Sequence, residues 1–61
     1  MKFEITKQQY FEILFDTTRG VNEKTTHGKL WQETFLTCTE TREILAVRRI
    51  THKGTQFYIP E

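Results

Sequence analysis

The sequence has little of what small proteins use to reinforce a thin core. Among its 61 residues there is one cysteine, Cys38, so no disulfide can form within the chain. Cys38, His27 and His52 lack the paired spacing of zinc ligands. A chain this short buries only about 60% of the surface that its unfolded form exposes. We therefore expect a single domain over residues 1–61, supported by self-association or by a partner rather than by cross-links.

The sequence also lacks an excess of charge of either sign and lacks long apolar runs. Nine basic and eight acidic residues leave a net charge of +1, which gives no electrostatic argument for nucleic acid or for a membrane surface. No apolar run approaches the ~20 residues that span a bilayer. The N-terminus lacks an apolar segment of signal-peptide length. Together with one thiol, which suits a reducing compartment, these features favour a cytoplasmic protein without a membrane partner.

Motifs that carry chemistry are absent as well. The sequence has no glycine-rich phosphate loop, no paired-carboxylate site and no metal motif. Cys38 with His27 or His52 would supply a nucleophile and a base, but neither a local signature nor a third orienting group accompanies them. Glu12 and Asp16, one helical turn apart, are interpreted as surface carboxylates. We therefore predict a protein that is not an enzyme, with no catalytic residue, metal or cofactor.

Residues 6–19 have the pattern of one amphipathic helix. Thr6 and Gln9 have the spacing of a capping box at its start. Apolar and polar side chains separate onto opposite arcs of a helical wheel, and Gly20, which can take the left-handed conformation, marks the end. Before the helix, residues 2–5 alternate as a short strand. That strand would lie beside the first or the last strand of the sheet, or stay loose.

Three later segments have the features of strands joined in an antiparallel meander. The segments are residues 30–38, 43–52 and 55–59. The polar residues 21–29 are expected to form a loop, and Lys53 with Gly54 fits a two-residue hairpin turn. A helix over 40–49 is the competing prediction, but its apolar residues spread too widely around a wheel. The predicted fold class is α+β: a short N-terminal strand, then one helix packed on a three-stranded antiparallel meander.

The hairpin registers divide the predicted sheet into two faces. The second hairpin sets Ile50 opposite Phe57, and the first sets Glu33 opposite Arg48. The face expected under the helix carries Trp31, Phe35, Ile44, Ala46, Ile50, Phe57 and Ile59, with the Glu33–Arg48 pair among them. The face expected to stay open carries Leu30, Gln32, Thr34, Leu36, Cys38, Leu45, Val47, Arg49, Gln56 and Tyr58. A bulge near Arg48 and Arg49 would exchange the faces of the outer half of the central strand.

The uncovered face is the candidate functional surface, because one helix covers only one face of a sheet. Its apolar centre is rimmed by polar and aromatic groups, which is typical of interaction surfaces. Arginine and tyrosine are also enriched in binding hot spots. Single exposed aliphatic residues are, however, normal on small domains. The predicted protein-binding residues are Gln32, Thr34, Leu36, Leu45, Val47, Arg49 and Tyr58.

The predicted function is a small, non-enzymatic protein-binding module that associates with itself, with a larger protein target, or with both. Its size and composition suit an accessory protein of a virus or mobile element, acting in the host cytoplasm and inhibiting a host protein by occlusion. The alternative is a small nucleic-acid-binding protein. In that case Arg48, Arg49 and Lys53 would hold phosphates while Tyr58 or Trp31 stacks on a base. The balanced charge favours the first hypothesis.

Overall fold

A computed structural model describes residues 2–60 of the chain. The elements are β1 Phe3–Glu4, α1 Lys7–Leu14, β2 Val21–His27, β3 Trp31–Cys38, β4 Ile44–Thr51 and β5 Gly54–Ile59. The strands form one sheet in the order β1-β5-β4-β3-β2, with every neighbouring pair antiparallel. The predicted combination of one helix with an antiparallel sheet is confirmed, but the sheet has five strands rather than three. Within the described residues no helix is long and apolar enough to cross a bilayer.

The largest error of the sequence analysis concerns residues 21–29, which were expected to form a loop. Val21–His27 is a strand that pairs with β3 along its length, from Val21 opposite Cys38 to His27 opposite Gln32. Six of its seven residues are exposed. A strand that is exposed to solvent on both faces does not need to alternate apolar and polar residues. The pattern that predicts a strand is therefore missing from this segment.

The first strand lies at the edge opposite to β2. Phe3 pairs with Ile59 and Glu4 pairs with Tyr58 in β5, and the Ile5 N–H donates to the carbonyl of Phe57 at 3.0 Å. The meander therefore comprises the four consecutive strands β2 to β5. Helix α1 connects β1 to β2. These are the two edge strands of the sheet, so the helix crosses one face of the sheet between them.

Helix α1 begins where the sequence predicted and ends earlier. The Gln9 N–H donates to the Thr6 hydroxyl at 3.1 Å, and the Thr6 N–H donates to the Gln9 side chain at 2.8 Å, so the capping box is confirmed. The helix ends at Leu14 rather than near residue 19. The carboxylate of Asp16 accepts from the N–H of Thr18 at 2.8 Å, and this local bond competes with helical bonding.

Because of a bulge in β4, the face of β3 that meets the helix is the opposite of the predicted one. Leu45 is an extra residue next to the pair formed by Leu36 and Ala46. Beyond the bulge each β3 residue faces a partner one position further along, so that Glu33 pairs with Arg49. Because side chains alternate with a period of two, this shift of one residue exchanges the faces. The bulge lies closer to the β3–β4 turn than the one the sequence analysis considered.

The register of the β4–β5 hairpin also differs from the predicted one, but this difference does not exchange the faces of the strands. Thr51 pairs with Gly54, so the two-residue loop is His52 and Lys53 rather than Lys53 and Gly54. The pairing moves by two positions, which returns each residue to its predicted face. Gly54 has φ +130°, a conformation that costs glycine little and other residues much.

The core lies between α1 and strands β3 to β5, around Tyr10. Tyr10, Leu36 and Ala46 are each at most 1% exposed. The ring centroid of Tyr10 lies 5.0 Å from that of Phe57. Partly buried side chains surround this cluster: Ile5, Phe11, Ile13, Leu14, Val21, Leu45 and Phe57. The small side chain of Ala46 leaves the space that the tyrosine ring fills.

Several residues therefore lie on the face opposite to the predicted one. Five that were expected on the open side share the helix side: Gln32, Thr34, Leu36, Cys38 and Leu45. Four that were expected beneath the helix lie on the other side: Trp31, Glu33, Phe35 and Ile44. Thr34 is fully buried and Trp31 is 41% exposed. The bulge explains these corrections, because it reverses β3 while β4 and β5 keep their predicted orientation beyond Leu45.

The buried hydroxyl of Tyr10 yields a first prediction. This oxygen has no hydrogen-bond partner among residues 2–60, so Tyr10→Phe removes a desolvated, unpaired group. We expect the free energy of unfolding to stay unchanged or to rise by up to about 1 kcal/mol. Tyr10→Ala should lower it by about 3–5 kcal/mol and leave little folded protein. Urea denaturation measures both variants, and a Tyr10→Phe protein destabilised by more than about 1 kcal/mol would contradict this account.

Candidate functional site

The side of the sheet away from α1 is the candidate functional surface, and we call it the open face. The strand registers assign its residues. They are Glu4 in β1; Asn22, Lys24 and Thr26 in β2; Trp31, Glu33, Phe35 and Thr37 in β3; Ile44, Val47, Arg49 and Thr51 in β4; and Gln56 and Tyr58 in β5. Aromatic and charged side chains are therefore interleaved on this face.

A row of apolar side chains crosses the middle of the open face. Phe35 and Tyr58 flank Val47 from the neighbouring strands. Val47 is 1% exposed and Tyr58 is 8% exposed, although α1 lies on the other side of the sheet. The two rings close over the valine, so the row forms a second, smaller apolar cluster. Contacts with another molecule must come from the residues around this row.

Tyr58 connects the apolar row to charged residues beside it. Its hydroxyl donates to Oε2 of Glu33 at 3.3 Å, and the ammonium of Lys2 lies 4.9 Å from its ring centroid. Glu33 also faces Arg49 across the β3–β4 pair. Burial raises the pKa of Tyr58, the charge and hydrogen bond of Glu33 raise it further, and Arg49 lowers it. The tyrosine is thus held neutral and fixed in place from both sides.

An open hollow of about 520 Å³ lies at the end of the open face, beside the β4–β5 hairpin. Its walls are formed by Leu30, Trp31, Arg49, Thr51, His52, Lys53, Gly54, Thr55 and Gln56. Leu30 is 73% exposed and Trp31 is 41% exposed. Among residues 2–60, no acidic residue lines the hollow. It therefore combines exposed apolar surface with a guanidinium and an ammonium group.

The indole ring of Trp31 is held in place by the β2–β3 turn. The Gly28 N–H donates to the Trp31 carbonyl at 3.0 Å. A Cβ atom at Gly28 would collide with the indole Nε1, so only glycine lets the ring lie against the turn. The ring is consequently a rigid element of the hollow, and rigid aromatic groups bind with little loss of conformational freedom.

The predicted protein-binding residues divide between the two sides of the sheet. Val47, Arg49 and Tyr58 lie on the open face, as expected. The other four lie on the helix side: Gln32, Thr34, Leu36 and Leu45. Leu36 and Thr34 are fully buried, so their expected placement on a docking surface is wrong.

The residues of the predicted nucleic-acid site are also separated. Arg48 lies under the helix, where its guanidinium donates to the Thr34 hydroxyl at 3.3 Å and lies 5.8 Å from the Tyr10 ring centroid. Arg49 and Lys53 remain together at the hollow. Tyr58 is too buried to offer its ring to a base, so stacking would fall to the tryptophan of the hollow.

The cysteine and the histidines lie toward opposite ends of β3. Cys38 ends this strand, whereas His27 faces Gln32 near its start, and His52 lies in the loop beyond. Six residues of strand, roughly 20 Å, separate Gln32 from Cys38. Hydrogen bonds from the Thr41 hydroxyl and nearby backbone groups lower the pKa of the thiol. In the described part of the chain no three metal-ligating side chains lie together.

Trp31, Glu33 and Phe35 are the β3 residues of the open face that the sequence analysis placed beneath the helix. Both faces of β3 carry large apolar residues, Trp31 and Phe35 on one side and Leu36 on the other, so its alternation fits either orientation. A weak local signal for Trp31 is Gly28, because glycine before a strand often permits close approach of a side chain to the backbone. The position of the bulge has no such signal.

The two tyrosines generate a prediction for alkaline pH. Burial is the largest cause of the raised pKa of Tyr10 and of Tyr58, above the ordinary value of 10.0. A raised folded-state pKa stabilises the fold fully below pH ~10, and this contribution is lost as the pH rises through the folded values. Tyrosinate absorbance of Tyr10→Phe and Tyr58→Phe variants should show the remaining tyrosine titrating above free tyrosine. Titration at the free value in the folded protein would contradict this.

Comparisons with protein-family models, with curated proteins and with solved structures find no match to this chain. The function is therefore argued from the geometry of the open face, its hollow and the sheet edges. These features all lie within residues 2–60.

Proposed function

We propose that the chain is a small, non-enzymatic protein-binding module that docks another protein at the hollow of its open face. The observation that supports this most is the exposed pair Leu30 and Trp31 beside Arg49. Exposed apolar groups rimmed by polar ones mark interaction surfaces. Tryptophan and arginine are the side chains that most often carry binding energy. The rigid seat of Trp31 against Gly28 adds to the affinity such an anchor supplies.

The chemistry of the hollow indicates the kind of segment that fits it. Arg49, His52 and Lys53 contribute basic groups, and none of the carboxylates in the described part of the chain lines the walls. Arginine binds carboxylates with two parallel hydrogen bonds. The partner is therefore a protein segment with an apolar side chain flanked by aspartate or glutamate. An accessory protein of a virus or mobile element, which occludes an acidic surface of a host protein, is the biological role that this chemistry suits.

Two substitutions test the docking surface. Trp31→Ala removes the apolar anchor, and Arg49→Glu reverses the charge beside it. Each should weaken binding of the partner by about 10- to 100-fold, the loss typical of hot-spot residues. Phe15→Ala and Lys7→Glu are matched controls, because Phe15 is 70% exposed and both residues lie away from the open face.

The measurement has two stages. Affinity capture first selects proteins retained by the unaltered chain and by both controls. Calorimetry with the purified candidate then gives each dissociation constant, while circular dichroism confirms that the variants fold. A partner that binds all four variants equally would show that docking uses another surface.

A second candidate function is binding of single-stranded nucleic acid at the same hollow. Trp31 shares its walls with Arg49 and Lys53, which combines a stacking surface with two cations for phosphates. The observation favours single strands over duplexes, because an unpaired base can reach the indole ring.

Fluorescence of Trp31, the only tryptophan in the sequence, distinguishes this candidate. Stacking of a base should quench the emission, and two phosphate contacts should give a slope of about −1.4 for log K against log salt concentration. Arg49→Glu removes one of the two contacts and should reduce the slope to about −0.7. Unchanged emission with mixed DNA and RNA oligonucleotides would exclude nucleic acid at the hollow.

A further inference from the structure

Strand β2 leaves one long edge of the sheet without a partner strand. It lies outermost in the strand order and, within residues 2–60, pairs only with β3. Six of its seven residues are exposed. Helix α1 packs over β4 and β5, so it does not obstruct the approach of another strand to β2. An unpaired edge of this length is a template for further strand pairing.

The backbone bonds at the two ends of β2 show which of its groups are unused. At one end the Thr39 N–H donates to the Gly20 carbonyl at 3.1 Å. At the other end the Gly28 N–H donates to the Trp31 carbonyl at 3.0 Å. In an antiparallel ladder every second residue bonds to the neighbouring strand, and those between direct their backbone groups outward. The outward residues of β2 are Val21, Glu23, Thr25 and His27.

Charge selects one register for pairing β2 with a second copy of itself. A two-fold axis that continues the sheet must pass through a residue that faces its own copy. An axis at Glu23 or Lys24 would set like charges directly opposite, which destabilises the pair. An axis at Thr25 sets Glu23 opposite His27 of the second copy and Lys24 opposite Thr26 of the second copy. This is the longest ladder of β2 that opposes no like charges.

We infer that two copies of the chain pair antiparallel through β2, with Thr25 at the two-fold axis, to form a continuous ten-stranded sheet. Three pairs of outward residues then exchange backbone hydrogen bonds: Thr25 with its own copy at the axis and, on either side of it, Glu23 with His27 of the other copy. The helices lie on one side of the joined sheet and both open faces lie on the other. Because the ladder is short, the dimer is weak, with a dissociation constant on the order of micromolar or higher.

This pairing goes beyond the docking proposal and does not depend on it. None of the residues that line the hollow belongs to β2, and each copy keeps its own hollow. Two hollows on the same side of one sheet would bind a partner that carries two acidic segments more tightly than one. Trp31→Ala leaves the edge unchanged, so failure of docking and failure of dimerisation are separate results.

Proline at position 25 is the decisive variant. The Thr25 N–H points away from β3, so Thr25→Pro removes the donor at the dimer axis without removing a bond of the β2–β3 ladder. Thr25→Ala is the matched control, because it loses the same hydroxyl, which hydrogen-bonds Thr34 at 3.1 Å, but keeps the N–H. Light scattering over a range of concentrations should show a dimer for Thr25→Ala. It should show a dissociation constant raised about tenfold or more for Thr25→Pro.

A charge exchange tests the register. His27→Glu sets carboxylates opposite Glu23 at two symmetric places and should weaken the dimer about tenfold. The double variant E23K/H27E again sets opposite charges across the axis and should restore the dimer. Amide hydrogen exchange gives an independent readout, because the outward amides of Glu23, Thr25 and His27 become protected only on pairing.

Three results would overturn the inference. The first is a chain that stays monomeric up to about 1 mM, with fast exchange at the outward amides of β2. The second is a dimer that Thr25→Pro leaves intact, which would place the contact elsewhere. The third is a double variant E23K/H27E that is as weak as His27→Glu, which would exclude the register centred on Thr25. Circular dichroism of each variant separates loss of pairing from loss of fold.

Discussion

The extra residue Leu45 in β4 controls which side of β3 meets the helix. With the bulge in place, Leu36 lies beside Ala46 under α1, and the ring of Tyr10 fills the space above the alanine. Without it, the bulky Trp31 and Phe35 would compete for the area that an eight-residue helix can cover. The bulge thus places smaller side chains beneath the helix and the larger rings of Trp31 and Phe35 on the other side of the sheet.

A polar layer beside the core follows from the same register. Arg48 faces Thr34 in β3, donates to its hydroxyl and lies over the Tyr10 ring. Thr34 in turn shares a hydrogen bond with Thr25 in the edge strand. These contacts link α1, β4, β3 and β2 through one set of side chains. They also withdraw one of the two adjacent arginines from the surface, so that Arg49 alone accompanies Trp31 at the hollow.

Two incomplete surfaces result from placing one short helix on five strands. The open face closes its own centre with Phe35, Val47 and Tyr58 but leaves the hollow exposed. The β2 edge leaves backbone donors and acceptors unpaired by the sheet. Small domains gain stability when another chain covers such features. The proposed docking uses the hollow and the inferred dimer uses the edge, so the two surfaces offer different kinds of contact.

The sequence by itself determined the features that depend on neighbouring residues. The capping box of Thr6 and Gln9 starts the helix, and β3 to β5 lie within one residue of their predicted ends, because capping and alternation are local patterns. Only the tertiary structure decided that residues 21–27 form a strand. An edge strand exposed on both faces shows no alternation in the sequence, and this one forms because its backbone hydrogen-bonds to β3. The tertiary structure also decided the face of Trp31, because the bulge at Leu45 shifts the β3–β4 register by one residue and no local pattern in the sequence marks its position.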